Sequence, residues 1–231
     1  MIRAMHSIIV APAPVARSAR PPRRATLADW LAIPEAQRAE LIDGRIVYQA
    51  MPGPEHGRTQ GNIFAALRGP FDRRPGGGDR PGGWWLSQEV DMDIAGLGCR
   101  PDVLGWRRDR HASIPQPDPR ALVTATPDWI CEVLSRSTAH VDMGTKRLGY
   151  HRAGVAHYWV VDPVNGTLAV LRWTAEGYLV ELVAGRTETV RAAPFEGIEI
   201  SLSDLLGDDE EPAVEPLPDA PPEDAGEEPL P

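Results

Sequence analysis

Asp102, Glu132 and Lys146 are the residues of this chain whose types and settings best suit chemistry. Asp102 follows a proline where an apolar strand returns, and Glu132 interrupts the apolar run of Trp129, Ile130, Cys131, Val133 and Leu134. A carboxylate inside an apolar strand is costly unless it is paired or binds a metal. Lys146 is the only lysine: of the 24 Lys and Arg residues, the other 23 are arginine. Lysine is a compact point charge whose pKa moves on burial, whereas arginine keeps its proton and needs more space. Two carboxylates with water suit Mg²⁺ (or Mn²⁺), which prefers oxygen ligands. A nearby ammonium can orient the attacking water and balance charge developing on a phosphate. If the strands carrying Asp102 and Glu132 are neighbours, the three residues form a constellation for metal-assisted phosphodiester hydrolysis. The competing reading pairs Lys146 with Asp142 one helical turn earlier, worth only ~0.3–0.5 kcal/mol on a surface.

Residues 127–163 must position these groups, and they read as strand, helix, strand. The apolar run around Glu132 has the pattern of a strand covered on both faces. Ser135, Ser137 and Thr138 offer hydroxyl caps and Gly154 a C-terminal stop. Between them Asp142, Lys146 and Tyr150 recur every fourth residue, so they share one helix face. Residues 157–162 form a second apolar strand ending at Asp162-Pro163.

Further elements flank this unit. Thr26 and Asp29 form a capping box that opens a short helix through Trp30. Asp43-Gly44 is a tight hairpin turn between residues 40–42 and 45–48. Residues 55–68 have helical spacing, and residues 74–83, with five glycines, read as a mobile loop. Residues 84–106 read as a second hairpin, turning at residues 95–98. Residues 106–126 form a polar, proline-containing excursion. After the Asn165-Gly166 turn, residues 167–173, 178–183 and 187–192 read as successive antiparallel strands, with a last helical turn at 203–206.

Charge is unevenly spread. The net charge is −9; residues 208–231 contribute −10, residues 1–25 contribute +5, and residues 26–207 contribute −4. The division is a basic Ala/Pro/Arg-rich extension (1–25) and an acidic Pro-rich tail (208–231), both reading as disordered, around one domain (26–207). The near-balanced domain announces no strongly basic surface. Two cysteines give no disulfide framework and point to a reducing cytoplasm. No apolar run approaches the ~20 residues that span a bilayer, so no membrane partner is expected.

Taken in order, Arg100-Pro101-Asp102-Val103, Cys131-Glu132-Val133-Leu134-Ser135, Thr138, Asp142, Lys146, Tyr150, Gly154-Val155 and Tyr158-Trp159-Val160-Val161-Asp162-Pro163 resemble the Uma-type restriction endonuclease family of the PD-(D/E)XK nuclease superfamily. Glu40-Leu41-Ile42-Asp43-Gly44 and His56 extend the resemblance to residues 26–206. It implies an α/β fold (an α+β mixed sheet flanked by helices) with a restriction-endonuclease-like core. It also implies Mg²⁺ (or Mn²⁺) dependence, Asp102 and Glu132 as metal ligands, Lys146 orienting the attacking water, and Glu40 as a further acid. The usual motif places lysine two residues after the acid, where this chain has Leu134. The resemblance implies that the lysine has moved onto the following helix, and Lys146 fits. His157 stands where the family often has an acid.

His56 is a ligand, a water-orienting base or a shaper of the site wall; Asp142 and Tyr150 are accessory candidates. Cys99 and Cys131 are expected to point away from the site as paired buried thiols. Arg107, Arg108 and Lys146 are expected to line a basic groove for DNA, the substrate, and edge strands after Asp162 offer a surface for a homodimer. Lys146→Arg is expected to leave the fold stable and abolish cleavage. Two other functions stay open: a non-catalytic nucleic-acid-binding or interaction protein on a nuclease fold, and a hydrolase of a smaller phosphodiester.

Overall fold

The computed structural model describes residues 23–49, 51–75, 80–135 and 142–208. Most of the basic extension and the acidic tail, the hydroxyls of Ser137 and Thr138, part of the glycine-rich loop and the Asp142 side chain lie outside the described residues.

The Thr26 hydroxyl accepts from the Asp29 amide and the Asp29 carboxylate from the Thr26 amide, which completes the capping box of α1 (Leu27–Leu31). Strands β1 (Ala39–Ile42) and β2 (Arg45–Tyr48) pair across Asp43-Gly44, whose φ values of 48° and 72° are those of a type I′ turn. Helix α2 (Pro54–Phe71) follows, with Pro54 in its first turn, where a missing amide costs nothing.

Residues 84–106 depart from a single hairpin. β3 (Trp84–Gln88) pairs antiparallel with β6 (Val103–Arg107), while β4 (Met92–Ile94) and β5 (Leu97–Cys99) form a separate hairpin turning at Ala95-Gly96. The cause lies at the β3–β6 margin. Glu89 is left-handed at φ 47°, its amide turns to the carbonyls of Pro101 and Asp102, and Pro101 has no N–H to continue a ladder. The middle of the stretch therefore swings into another sheet.

The main sheet has six strands in the order β10-β9-β8-β7-β6-β3. Its centre is β7 (Trp129–Val133) parallel to β8 (His157–Asp162), the sheet's one parallel pair among the described residues. A π-helical turn at Asp142–Lys146 and α3 (Arg147–Arg152) lead from one to the other, and Gly154 at φ 77° ends the crossover. Beyond the Asn165 turn, where Asp162 accepts from the Asn165 amide, come β9 (Thr167–Thr174) and β10 (Gly177–Gly185). β10 is the sheet edge and exposes Leu179, Val180 and Val183.

The third expected strand does not join this series. Glu188 donates its amide to the Gly185 carbonyl and accepts from the Gly185 amide, reversing the chain; only β11 (Thr189–Val190) follows, pairing with β12 (Ile200–Ser201) before α4 (Leu202–Leu206). A four-stranded antiparallel sheet, β2-β1-β5-β4, completes the fold.

Alternation along β7 sets the layers. Trp129, Cys131 and Val133 face a core with Ile63, Leu67 and Phe71 of α2 and Leu202 and Leu205 of α4. Ile130 and Leu134 face the opposite core, with Tyr150 of α3 and Ile42, Met92, Ile94 and Leu97 of the small sheet. Glu132 shares the second face by period-2 alternation. Among the described residues no helix is long and apolar enough to cross a membrane.

Candidate active site

Four charged residues are buried together where the small sheet, the crossover and the main sheet meet. Glu40 comes from β1, Asp102 precedes β6, Glu132 lies in β7 and Lys146 ends the π-turn; their exposures are 2, 8, 2 and 3%. They line one cavity of about 50 Å³ with Arg38, Gln49, His56, Arg100 and Ser135 among its other walls. Such a volume admits a few water-sized occupants, at ~10–15 Å³ each.

Lys146 Nζ lies 3.1 Å from Glu40 Oε1 and 3.1 Å from Glu132 Oε1. The Tyr150 hydroxyl donates to the same Glu132 oxygen at 2.6 Å. The two groups on one helix face therefore converge on one carboxylate, although a π-turn has replaced regular α-helix at Lys146. Glu40 also accepts the Arg100 amide at 2.9 Å and a short hydrogen bond from Gln49 Nε2. Glu40, read from resemblance, is thus brought to the lysine.

Asp102 is held differently. Its Oδ2 accepts the Val133 amide at 2.7 Å and its Oδ1 meets His56 Nε2 at 3.2 Å. Val103 is opposite Cys131, and continuing that register by one residue sets Asp102 beside Glu132. Directly opposed residues have Cβ atoms ~4.5–5.5 Å apart. Burial works against the charged form of His56, but the hydrogen bond and charge of Asp102 outweigh it and raise the imidazole pKa. His56 Nδ1 is buried with no hydrogen-bond partner among the described residues.

The donor set fits a hard divalent ion. Among the described residues no three Asp, Glu, His or Cys side chains form a group that could hold a metal ion. Mg²⁺ does not require three, since it keeps several waters and takes one or two carboxylates. At 8% exposure or less, three carboxylates meet one ammonium, with Arg38, Arg100 and His56 also on the cavity wall; oxygen donors of this kind suit a hard cation.

Two expectations are corrected. Cys131 does face the opposite core, but Cys99 shares the core of Tyr150 on the site's side, so the thiols lie on opposite faces of the main sheet and are not paired. Burial raises the Cys99 thiol well above its usual pKa, with Glu40 and Glu132 adding to the effect and Lys146 and the Tyr150 hydroxyl opposing it. Counting alternation from Asp102 back to Cys99 fails because Arg100-Pro101 breaks the strand between them. The basic groove is not formed either: Arg107 pairs with Asp109, Arg108 with Asp72, and Lys146 is buried.

Arg38, Gln49 and Arg100 were not legible as site residues. Arg100 grips Asp91 at 2.8 and 2.9 Å, which raises its pKa, and Gln60 braces the Asp102 carbonyl at 3.1 Å. The only sequence signal was proximity to Glu40 and Asp102 along the chain.

A family model, Uma2, described as "Putative restriction endonuclease", matches residues 25–203. No curated protein matches. Among solved structures, a putative nuclease belonging to DUF820 from Anabaena variabilis aligns with a TM-score of 0.62 and 21% identity, over 78% of this chain and 97% of that one. At that identity the likeness establishes the fold, a mixed α+β architecture shared with that protein. A family match spanning most of the sequence goes further: this chain belongs to the Uma2 family.

Proposed function

We propose that this protein is a Mg²⁺- or Mn²⁺-dependent endonuclease hydrolysing phosphodiester bonds in DNA. The observation that carries the reading is the burial of Glu40, Asp102, Glu132 and Lys146 around one cavity, with the ammonium 3.1 Å from two carboxylates. Membership of a family described as restriction endonucleases supports the same chemistry.

In this reading Asp102 and Glu132 hold the ion, which supplies Lewis acidity toward the phosphate when bound. Lys146 orients the attacking water and meets negative charge as it develops in the transition state. Glu40 and Tyr150 keep that machinery in place, Glu40 by holding the ammonium and Tyr150 by fixing the Glu132 oxygen. His56 fixes the Asp102 carboxylate, as neighbours of metal ligands commonly do. Residues 26–207 form the catalytic unit.

Nicking of supercoiled plasmid tests the reading. Conversion to open circle is expected with Mg²⁺ or Mn²⁺, and none with EDTA. Asp102→Asn, whose shape is preserved, is expected to lose ~10²–10³-fold, the scale of removing one key electrostatic group. Metal-independent nicking, or an Asp102→Asn variant with unreduced rate, overturns the assignment.

A further inference from the structure

A second cavity adjoins the first. It measures about 250 Å³ against about 50 Å³, and the two share Arg38, Ala39 and Arg100 as a common wall. Its own lining is of two kinds. Trp30, Leu31, Ile33 and Pro34 form an apolar side, while Glu35 and Asp91 stand with the two arginines.

The two cavities differ in their walls. The smaller gathers Glu40, Asp102 and Glu132 with Lys146, His56 and the two shared arginines. In the larger, two arginines face two carboxylates, and Arg100 contacts both: Asp91 at 2.8 Å and Glu35 at 3.4 Å. A charged phosphate and its metal belong with the first. An uncharged flat group with donors and acceptors along its edge suits the second, where apolar walls meet guanidinium donors and carboxylate acceptors.

Arg38 joins the two. Its backbone is left-handed (φ 45°, ψ 55°), a costly conformation for a residue with a side chain and one concentrated at functional sites. Its Nε is buried with no hydrogen-bond partner among the described residues, and its ion pair with Glu89 is long, at 3.8 Å.

We infer that the second cavity receives a nucleobase, turned out of its stack, from the strand whose phosphate occupies the carboxylate site, with Arg38 reaching the phosphate between them. The inference rests on the nuclease reading and narrows its substrate class to nucleic acid with unpaired nucleotides at the cleaved position. A paired base must first be unstacked and unpaired, a cost absent from single strands. A base stacked on protein side chains gains affinity whatever its identity.

The test is equilibrium binding by the full chain in EDTA at one fixed salt concentration, since salt alone changes affinity. The probes are an unstructured single-stranded DNA oligonucleotide and the duplex of the same sequence. The wild type is expected to bind the single strand at least ~tenfold more tightly, the scale of one stacked base. Ile33→Trp, which narrows the cavity, and Leu31→Gln, uncharged and at a position 43% exposed and so outside the core, are each expected to lose that preference. Equal affinities in the wild type, binding of neither probe, or a preference surviving both substitutions overturns the inference. Plasmid nicking in Mg²⁺ separates the two readings. No nicking with an intact single-strand preference removes the nuclease and leaves the base site; nicking without the preference does the reverse.

Discussion

Replacing Lys146 with methionine removes a cation from between two buried carboxylates and keeps a side chain of similar length. At 3.1 Å from each oxygen, the Coulomb attraction is roughly 5 kcal/mol per pair at an effective dielectric of about 20. Desolvating three ions costs several kcal/mol each, so most of that attraction is offset in the wild type. The variant loses the attraction while Glu40 and Glu132 stay at 2% exposure each. Breaking a buried pair in this way costs ~3–5 kcal/mol. At ~2–4 °C per kcal/mol for a domain of this size, Tm should fall by roughly 6–20 °C.

Thermal and urea unfolding followed by circular dichroism, in EDTA, measure the loss. Adding Glu40→Gln to Lys146→Met should recover at least about half of it, because one uncompensated charge is removed. Lys146→Arg should also destabilise, against the sequence expectation, since a position 3% exposed between Glu40 and Glu132 has no room for a guanidinium. A Lys146→Met variant within ~0.5 kcal/mol of wild type, the range of an ordinary surface substitution, would refute the whole account of the buried triad. A folded Lys146→Arg enzyme that nicks at the wild-type rate would reduce the lysine to a charge.

Three further outcomes are expected. Mn²⁺ at ~100 times its Kd should stabilise the metal-free wild type by about 2.7 kcal/mol in urea unfolding, and Asp102→Asn should abolish the shift; a full shift in that variant removes Asp102 from the metal site. Gly98→Ala should be strongly destabilising, because its Cβ would meet the Trp30 ring at 2.6 Å while the indole N–H holds the ring to the Ala39 carbonyl; an unchanged Tm would mean that the ring can shift. Burial lowers the His157 pKa below its usual 6.5, so in the acidic range the unfolded chain binds the proton more readily and the fold loses stability as pH falls through about 6.5. His157→Gln should flatten that acid limb of the urea midpoint against pH, and an identical limb in both proteins would refute the assignment.

The sequence alone determined what depends on near neighbours. The Thr26 box, the Asp43-Gly44 turn, the strand around Glu132 and the helix face of Lys146 and Tyr150 are local events. Their periods and caps bind within a few residues, and the structure keeps each, save that a π-turn stands where regular helix was read. Alternation also placed Cys131 opposite the site, because an unbroken strand preserves the period of two. Resemblance, not spacing, brought in Glu40 and His56. Only tertiary structure decided the rest. Glu40 reaches Lys146 because β1 docks on β5 through Leu41 opposite Gly98, a contact whose register is written in no local pattern. Residues 84–106 split between two sheets because Pro101 and Glu89 stop one ladder, and that break put Cys99 on the site's side. Arg38 and Arg100 became the wall between two cavities only once distant segments had packed. A chain's periodicity fixes which face a side chain presents, but what that face meets depends on long-range closure, which short-range preferences leave open.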